Sequence, residues 1–322
     1  MAIVAGIDEA GYGPLLGPLV VTGVAFEVPD DQAEDCLWKQ LADSVTRRVA
    51  RANVRLPILD SKKLYRHHRR GGLSGLERTA LAMLQSAGHR PATFRELLRR
   101  VAPQTLDNTA GYPWYEDLDF GLPLEADAGA VATQANAVRR NARLCGVRLA
   151  GVLCEPLLAG QYNRLVSSTR NKATVLLGLT LRIVQRIMSK AADRPVRFLI
   201  DRQGGRLRYT QQLLTAFVGY ELQILEETRE RSTYRLTRSP TTHHIEFATS
   251  GEDHHLPVAL ASIYSKYLRE LFMRGLNRYW CERVKSLKPT AGYYTDGCRF
   301  LKDIGTAVDR QGVDRNILVR QR

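Results

Sequence analysis

Apolar and polar positions along this chain follow two periods. The run over residues 2–8 is apolar up to Asp8-Glu9, and a Val-rich run follows over 18–28. Short apolar runs bounded by turn residues predict buried strands. Between them Gly11, Gly13 and Gly17 with Pro14 and Pro18 predict an irregular connection. Helices are predicted over 33–52 and 128–144, two short helices over 75–102 with a break at Gly88, and a strand over 147–155. Val175, Leu176, Leu179, Ile183, Val184 and Ile187 recur at helical spacing and predict an amphipathic helix over 171–192. PVRFLID (195–201) predicts a strand ending in an acid, as at Asp8. Residues 219–249 alternate like strands, and 257–276 and 297–308 are helical in pattern. The stretch 107–127, aromatic and acidic with Pro and Gly, predicts a long loop or small insertion. Strands alternate with helices after an antiparallel start, which predicts an α/β fold: a mixed sheet with helices packed on it.

Composition narrows the class. The chain has 322 residues, 44% of them hydrophobic and 25% charged, as in soluble globular proteins. No apolar run is long enough to span a bilayer, and no secretory signal is visible, so a cytoplasmic protein without a membrane partner is expected. The five cysteines are scattered with no CxxC spacing, which fits reduced thiols. The net charge of +14 favours a polyanionic partner, nucleic acid first.

The acids at strand ends are the candidate chemistry. Ionised carboxylates at the mouth of buried strands are unfavourable unless a cation offsets them. Mg²⁺ takes oxygen ligands and keeps several waters, so a few converging carboxylates suffice. Asp8, Glu9 and Asp201 are candidates because neighbouring strand ends lie about 5 Å apart. Glu270 is a fourth: Ser262, Lys266 and Glu270 are spaced i, i+4, i+8 on one helix face. The loop at Gly11, Tyr12 and Gly13, nearly bare of bulk, would let a ligand backbone approach its N–H groups. A dinucleotide fingerprint fits poorly, because the spacing is G-x-G-x-x-x-G and Pro14 stands where a helix should open.

Five segments then resemble ribonuclease HII in the right order: GIDEAGYGPLLGPLVV (6–21), LDSKKL (59–64), FLID (198–201), ALASIYSKYLRE (259–270) and AGYYTDG (291–297). The resemblance implies a ribonuclease H-like mixed five-stranded sheet flanked by helices, with two insertions. The catalytic domain would be 1–310, interrupted at about 65–144 and 209–250, with 311–322 as a C-terminal tail. It also implies a metal-dependent endonuclease that hydrolyses the RNA strand of RNA/DNA hybrids. By that resemblance Asp8, Glu9, Asp201 and Glu270 would hold two divalent ions, Mg²⁺ or Mn²⁺. Lys62 and Lys63 would contact phosphates, Lys266 the scissile phosphate or Glu270, and Tyr293 a sugar at the junction.

Two departures matter. The family's loop usually reads Gly-Arg-Gly and here holds Tyr12, which leaves cleavage at a single ribonucleotide outside what the resemblance implies. The fourth acid is usually Asp and here is Glu270, a longer acid similar to that of ribonuclease HIII. The motif starts at residue 3, so the extra N-terminal domain of that type is expected to be absent. The partner would be an RNA/DNA hybrid or a ribonucleotide-containing duplex, with no obligate protein partner evident. A related nuclease with another nucleic-acid substrate, or a non-catalytic nucleic-acid-binding protein of the same fold, stays open. The histidine pairs at 67–68, 243–244 and 254–255 make poor chelates. Tyr112, Trp114, Tyr115 and Phe120, beside acids, fit core packing better than base stacking.

Overall fold

A computed structural model describes residues 1–49, 54–66 and 72–321. Arg51, the pair His67-His68 and Arg69-Arg70 lie outside the described residues. The first half of the chain holds β1 (Ala2–Ala10), β2 (Leu19–Val28), α1 (Leu37–Gln40), β3 (Val45–Thr46), β4 (Leu56–Pro57), α2 (Ser61–Arg66), α3 (Leu73–Ser86), α4 (Phe94–Val101), α5 (Pro103–Asn108) and α6 (Ala128–Leu144). Then come β5 (Arg148–Leu157), α7 (Ala159–Thr169), α8 (Lys172–Ala191), β6 (Val196–Asp201), α9 (Thr210–Ala216), β7 (Glu221–Glu227), β8 (Arg231–Arg238) and β9 (Thr241–Ala248). The chain closes with α10 (Gly251–His254), α11 (Leu256–Arg283), α12 (Tyr294–Arg310) and α13 (Arg315–Leu318).

The main sheet has seven strands in the order β5-β2-β1-β6-β9-β8-β7, where five were expected. β1, β2 and β5 run antiparallel in turn, and β6 and β9 lie parallel to β1. β8 and β7 extend the sheet by antiparallel pairing. The segment 209–250, expected as an insertion, therefore supplies β9, which pairs with β6, as well as the two added strands.

β1 is central and buried on both faces. Val4 faces the layer that contains Val20, Val24, Leu260 and Ile263, while Ile3, Ala5 and Ile7 face the layer that contains Val175, Leu176 and Ile183. Period-two alternation thus persists inside an apolar run. Gly6 brings α11 onto the sheet: a Cβ there would sit 2.2 Å from the Pro257 carbonyl carbon and from the Val258 nitrogen.

The segment 65–144 contributes a second helical layer. α3 packs on α6 and on α11. Tyr112, Trp114 and Tyr115 are buried; Tyr115 meets Phe272 edge-on at 5.0 Å and Trp114 lies 6.2 Å from Trp280. Glu77, fully buried, accepts from the Leu124, Glu125 and Ala126 N–H groups and from Tyr267. The helix predicted over 33–52 is a correction. Among the described residues of that span only Leu37–Gln40 is helical, because the Ser44 hydroxyl turns back to the Leu41 carbonyl and across to Asn141, and Val45 and Thr46 pair with β4.

Candidate metal centre and its glycine loop

Three parallel strands end side by side, and each delivers an acid. Ile7 of β1 pairs with Ile200 of β6, which sets Asp8 beside Asp201. Asp201 in turn pairs with Ala248 of β9, and Glu252 follows four residues later at the start of α10. The crevice beyond the carboxyl ends of parallel strands is where open α/β sheets place their ligands.

Asp8 is buried. Its carboxylate accepts from Ser262 of α11, whose hydroxyl lies 3.0 Å from Ser61 at the start of α2. Its carbonyl accepts from Ser265, which also bonds Thr22 at 2.8 Å. Asp201 is steadied by the Gly251 N–H, which donates to it at 2.8 Å. Burial, then Glu9 and Asp201, push the Asp8 carboxyl well above its usual range. Burial, then Asp201 and Glu252, raise Glu9 to about 7. Burial and Glu252 raise Asp201 to about 6.

Asp8, Glu9, Asp201 and Glu252 therefore share one repulsive field, and among the described residues none of them forms an ion pair. Lys62, exposed on α2, lowers Glu9 and Asp201 through space. An all-oxygen, net-negative donor set fits a hard divalent cation. As they stand, no three acid, His or Cys side chains among the described residues are placed to hold a metal ion together.

Glu270 is not in this group. It lies two helical turns beyond Ser262, about 12 Å along α11, and its carboxylate meets Lys266 at 3.4 Å, Arg269 at 3.3 Å and the Tyr65 hydroxyl at 3.5 Å. Burial and Glu270 push the Tyr65 hydroxyl up to about 12. Lys266, over the Tyr65 ring at 4.3 Å, neutralises Glu270. The fourth acid at the strand ends is Glu252, which the spacing argument missed. Its signal was present: TTHHIEFATSGED, like the runs before Asp8 and Asp201, is a strand followed by acid.

The remaining predicted residues divide. Lys63 pairs with Asp253 at 3.2 Å, and Asp60 caps α2 by accepting from the Lys62 N–H at 2.7 Å. In the loop, Gly11 has φ +87°, and a Cβ would clash with the Pro18 carbonyl oxygen at 2.6 Å and Arg269 Cδ at 2.8 Å. Gly13 faces open space. Tyr12 is half-buried beside Glu9, with Lys172 Nζ 5.7 Å from its ring. Tyr293 is exposed at the start of α12, 5.5 Å from the Arg269 guanidinium. The Gly292 carbonyl before it accepts from the Leu15 N–H at 2.8 Å, which ties this segment to the glycine loop.

No family model and no curated protein matches the chain. Among solved structures, Bst-RNase HIII in complex with Mn²⁺ aligns with 99% of this chain and 66% of its own, at 16% identity and TM-score 0.48. RNase HII from Archaeoglobus fulgidus, in a PCNA:RNase HII complex, aligns with 99% of this chain and 94% of its own, at 14% identity and TM-score 0.45. Ribonuclease H2 from Pyrococcus horikoshii OT3 aligns with 98% and 92%, at 13% identity and TM-score 0.42. The chain spans just under two thirds of the length of Bst-RNase HIII. Likenesses this distant assign neither substrate nor activity. The similarity is to ribonucleases of the HII and HIII kinds, at TM-scores below 0.5.

Proposed function

We propose that this protein is a metal-dependent endonuclease that hydrolyses the RNA strand of RNA/DNA hybrids. The observation that carries the reading is the convergence of Asp8, Glu9, Asp201 and Glu252, unpaired among the described residues, beside a loop of minimal side chain. Buried like charges with raised proton affinity destabilise a fold, and such sites are usually functional.

The four carboxylates are the ligands for divalent ions, Mg²⁺ or Mn²⁺. When bound, two such ions supply an activated water and stabilise the leaving oxygen of an in-line displacement. The chain itself binds and orients. Gly251 and Ser262 hold Asp201 and Asp8 in place by hydrogen bonds. Lys62 offers its exposed ammonium to a phosphate next to the acids. The loop lets a ribose approach backbone N–H groups, the contact that distinguishes RNA from DNA by its 2′-OH. Tyr293 presents an exposed ring to a sugar. Chemistry of this kind needs no nucleophile from the chain.

Cleavage of three labelled duplexes in Mg²⁺ and in Mn²⁺ tests the reading: a full hybrid, a DNA duplex with one ribonucleotide, and plain DNA. Cutting of the hybrid, lost in Asp8→Asn, is the expected result. Cutting of plain DNA would move the substrate to another class, and no cutting of any duplex would leave a nucleic-acid-binding protein of the same fold.

A further inference from the structure

The expected C-terminal tail is a strap built onto the glycine loop. Asn163 of α7 holds it from beneath, donating to the Asn316 and Val319 carbonyls at 2.8 and 2.7 Å and accepting from the Gln321 N–H at 2.7 Å. The Arg320 N–H donates to the Leu15 carbonyl at 2.9 Å. The Arg320 side chain is buried, with its guanidinium 4.3 Å from the Tyr162 ring. It donates to the Gly11 carbonyl at 2.5 Å and to the Tyr12 carbonyl at 2.8 Å.

Those two bonds fix two peptide planes. Both peptides are trans, since the cis bonds among the described residues are Leu122-Pro123 and Ser239-Pro240. In a planar trans peptide the N–H points opposite to the C=O. With the Gly11 and Tyr12 carbonyls drawn onto Arg320, the N–H groups of Tyr12 and Gly13 are aimed the other way. Among the described residues neither N–H donates to a protein acceptor, and Gly13 is exposed with open space around its Cα. We infer that Arg320 is a positioning residue that presets the Tyr12 and Gly13 N–H donors for a substrate hydroxyl. The guanidinium spans two consecutive carbonyls, which a single ammonium cannot do with the same geometry. Gly11, at φ +87°, holds the left-handed turn that leads into this pair of peptides.

The inference rests on the hybrid-nuclease reading, and binding rather than cleavage separates the two. In an Asp201→Asn background a labelled RNA/DNA hybrid is titrated with protein, with an all-DNA duplex of the same sequence as competitor. Arg320→Met keeps the apolar stem and removes the donors. Asn163→Ala loosens the strap and keeps Arg320. Arg320→Met is expected to reduce the preference for hybrid over DNA about tenfold, the scale of one or two hydrogen bonds, while affinity for DNA holds. Arg320→Lys should restore part of it, and Asn163→Ala should shift it in the same direction by less. If Arg320→Met does not fold, Asn163→Ala decides. A preference unchanged in the folded variants overturns the inference alone. A parent protein with no preference overturns the hybrid reading and the inference with it.

Discussion

Helix α11 has acidic chemistry at two heights, and the two regions are opposites. Near its N-terminal end Ser262 touches Asp8, within a group of carboxylates that have no ion-pair partner among the described residues. Two turns on, Glu270 sits between Lys266, Arg269 and Tyr65. Arg269, itself buried, is further held by the Ala291 carbonyl at 2.7 Å. A carboxylate matched by cations is satisfied and structural. Carboxylates crowded against one another at strand ends retain an unmet need for positive charge. The difference is why the proposed ion site is drawn at Asp8, Glu9, Asp201 and Glu252, while Glu270 braces Arg269, which holds the Ala291 carbonyl.

Mutation should separate the two regions most sharply in rate. Asp201→Asn is expected to lower hybrid cleavage at least about 10³-fold, whereas Glu270→Gln should cost less than about tenfold. Single-turnover assays with both variants check this. Stability should move the other way. Glu270→Gln leaves Arg269 buried with one partner fewer and should destabilise by about 2 kcal/mol, while Asp201→Asn relieves repulsion and should stabilise the ion-free protein by about 1 kcal/mol. Urea unfolding without divalent ions measures both.

pH sharpens the same contrast. Glu9 and Asp201 have folded pKa values raised to about 7 and about 6, above their ordinary values near 4. The folded state therefore binds more protons than the unfolded chain between about pH 4 and pH 7, and this contribution to stability fades as pH rises through that window. Without divalent ions the melting temperature should fall from pH 5 to pH 8. Mg²⁺ should restore a few degrees at pH 8 and little at pH 5, because only the ionised acids bind it. Equal melting at both pH values would contradict the repulsive cluster. The smallest effect is expected at Lys62: Lys62→Ala should weaken hybrid binding a few-fold and reduce the salt slope by about one.

What could be read in the sequence was what local pattern carries. Strands ending in Asp8 and Asp201 are contiguous apolar runs with acids attached, and the structure sets them in register. Glu252 was missed because its strand, β9, reads as HHIEFA, half polar, and because Ser250-Gly251 separates acid from strand. Helical spacing then made Glu270 attractive, since i+4 periodicity reports a shared face and says nothing of what that face meets. The fate of 33–52 depended on Asn141 and β4, distant partners that no local window contains. Arg320 had no signal at all: its two acceptors are carbonyls more than 300 residues away, at 308 and 309 positions of separation.

The most direct test of the central claim is calorimetric titration of Mn²⁺ into the protein, Glu252→Gln and Glu270→Gln at pH 8. The account predicts that Glu252→Gln loses or weakens Mn²⁺ binding at least tenfold, while Glu270→Gln binds as the parent does. Mn²⁺ binding that survives Glu252→Gln and is lost in Glu270→Gln would contradict it.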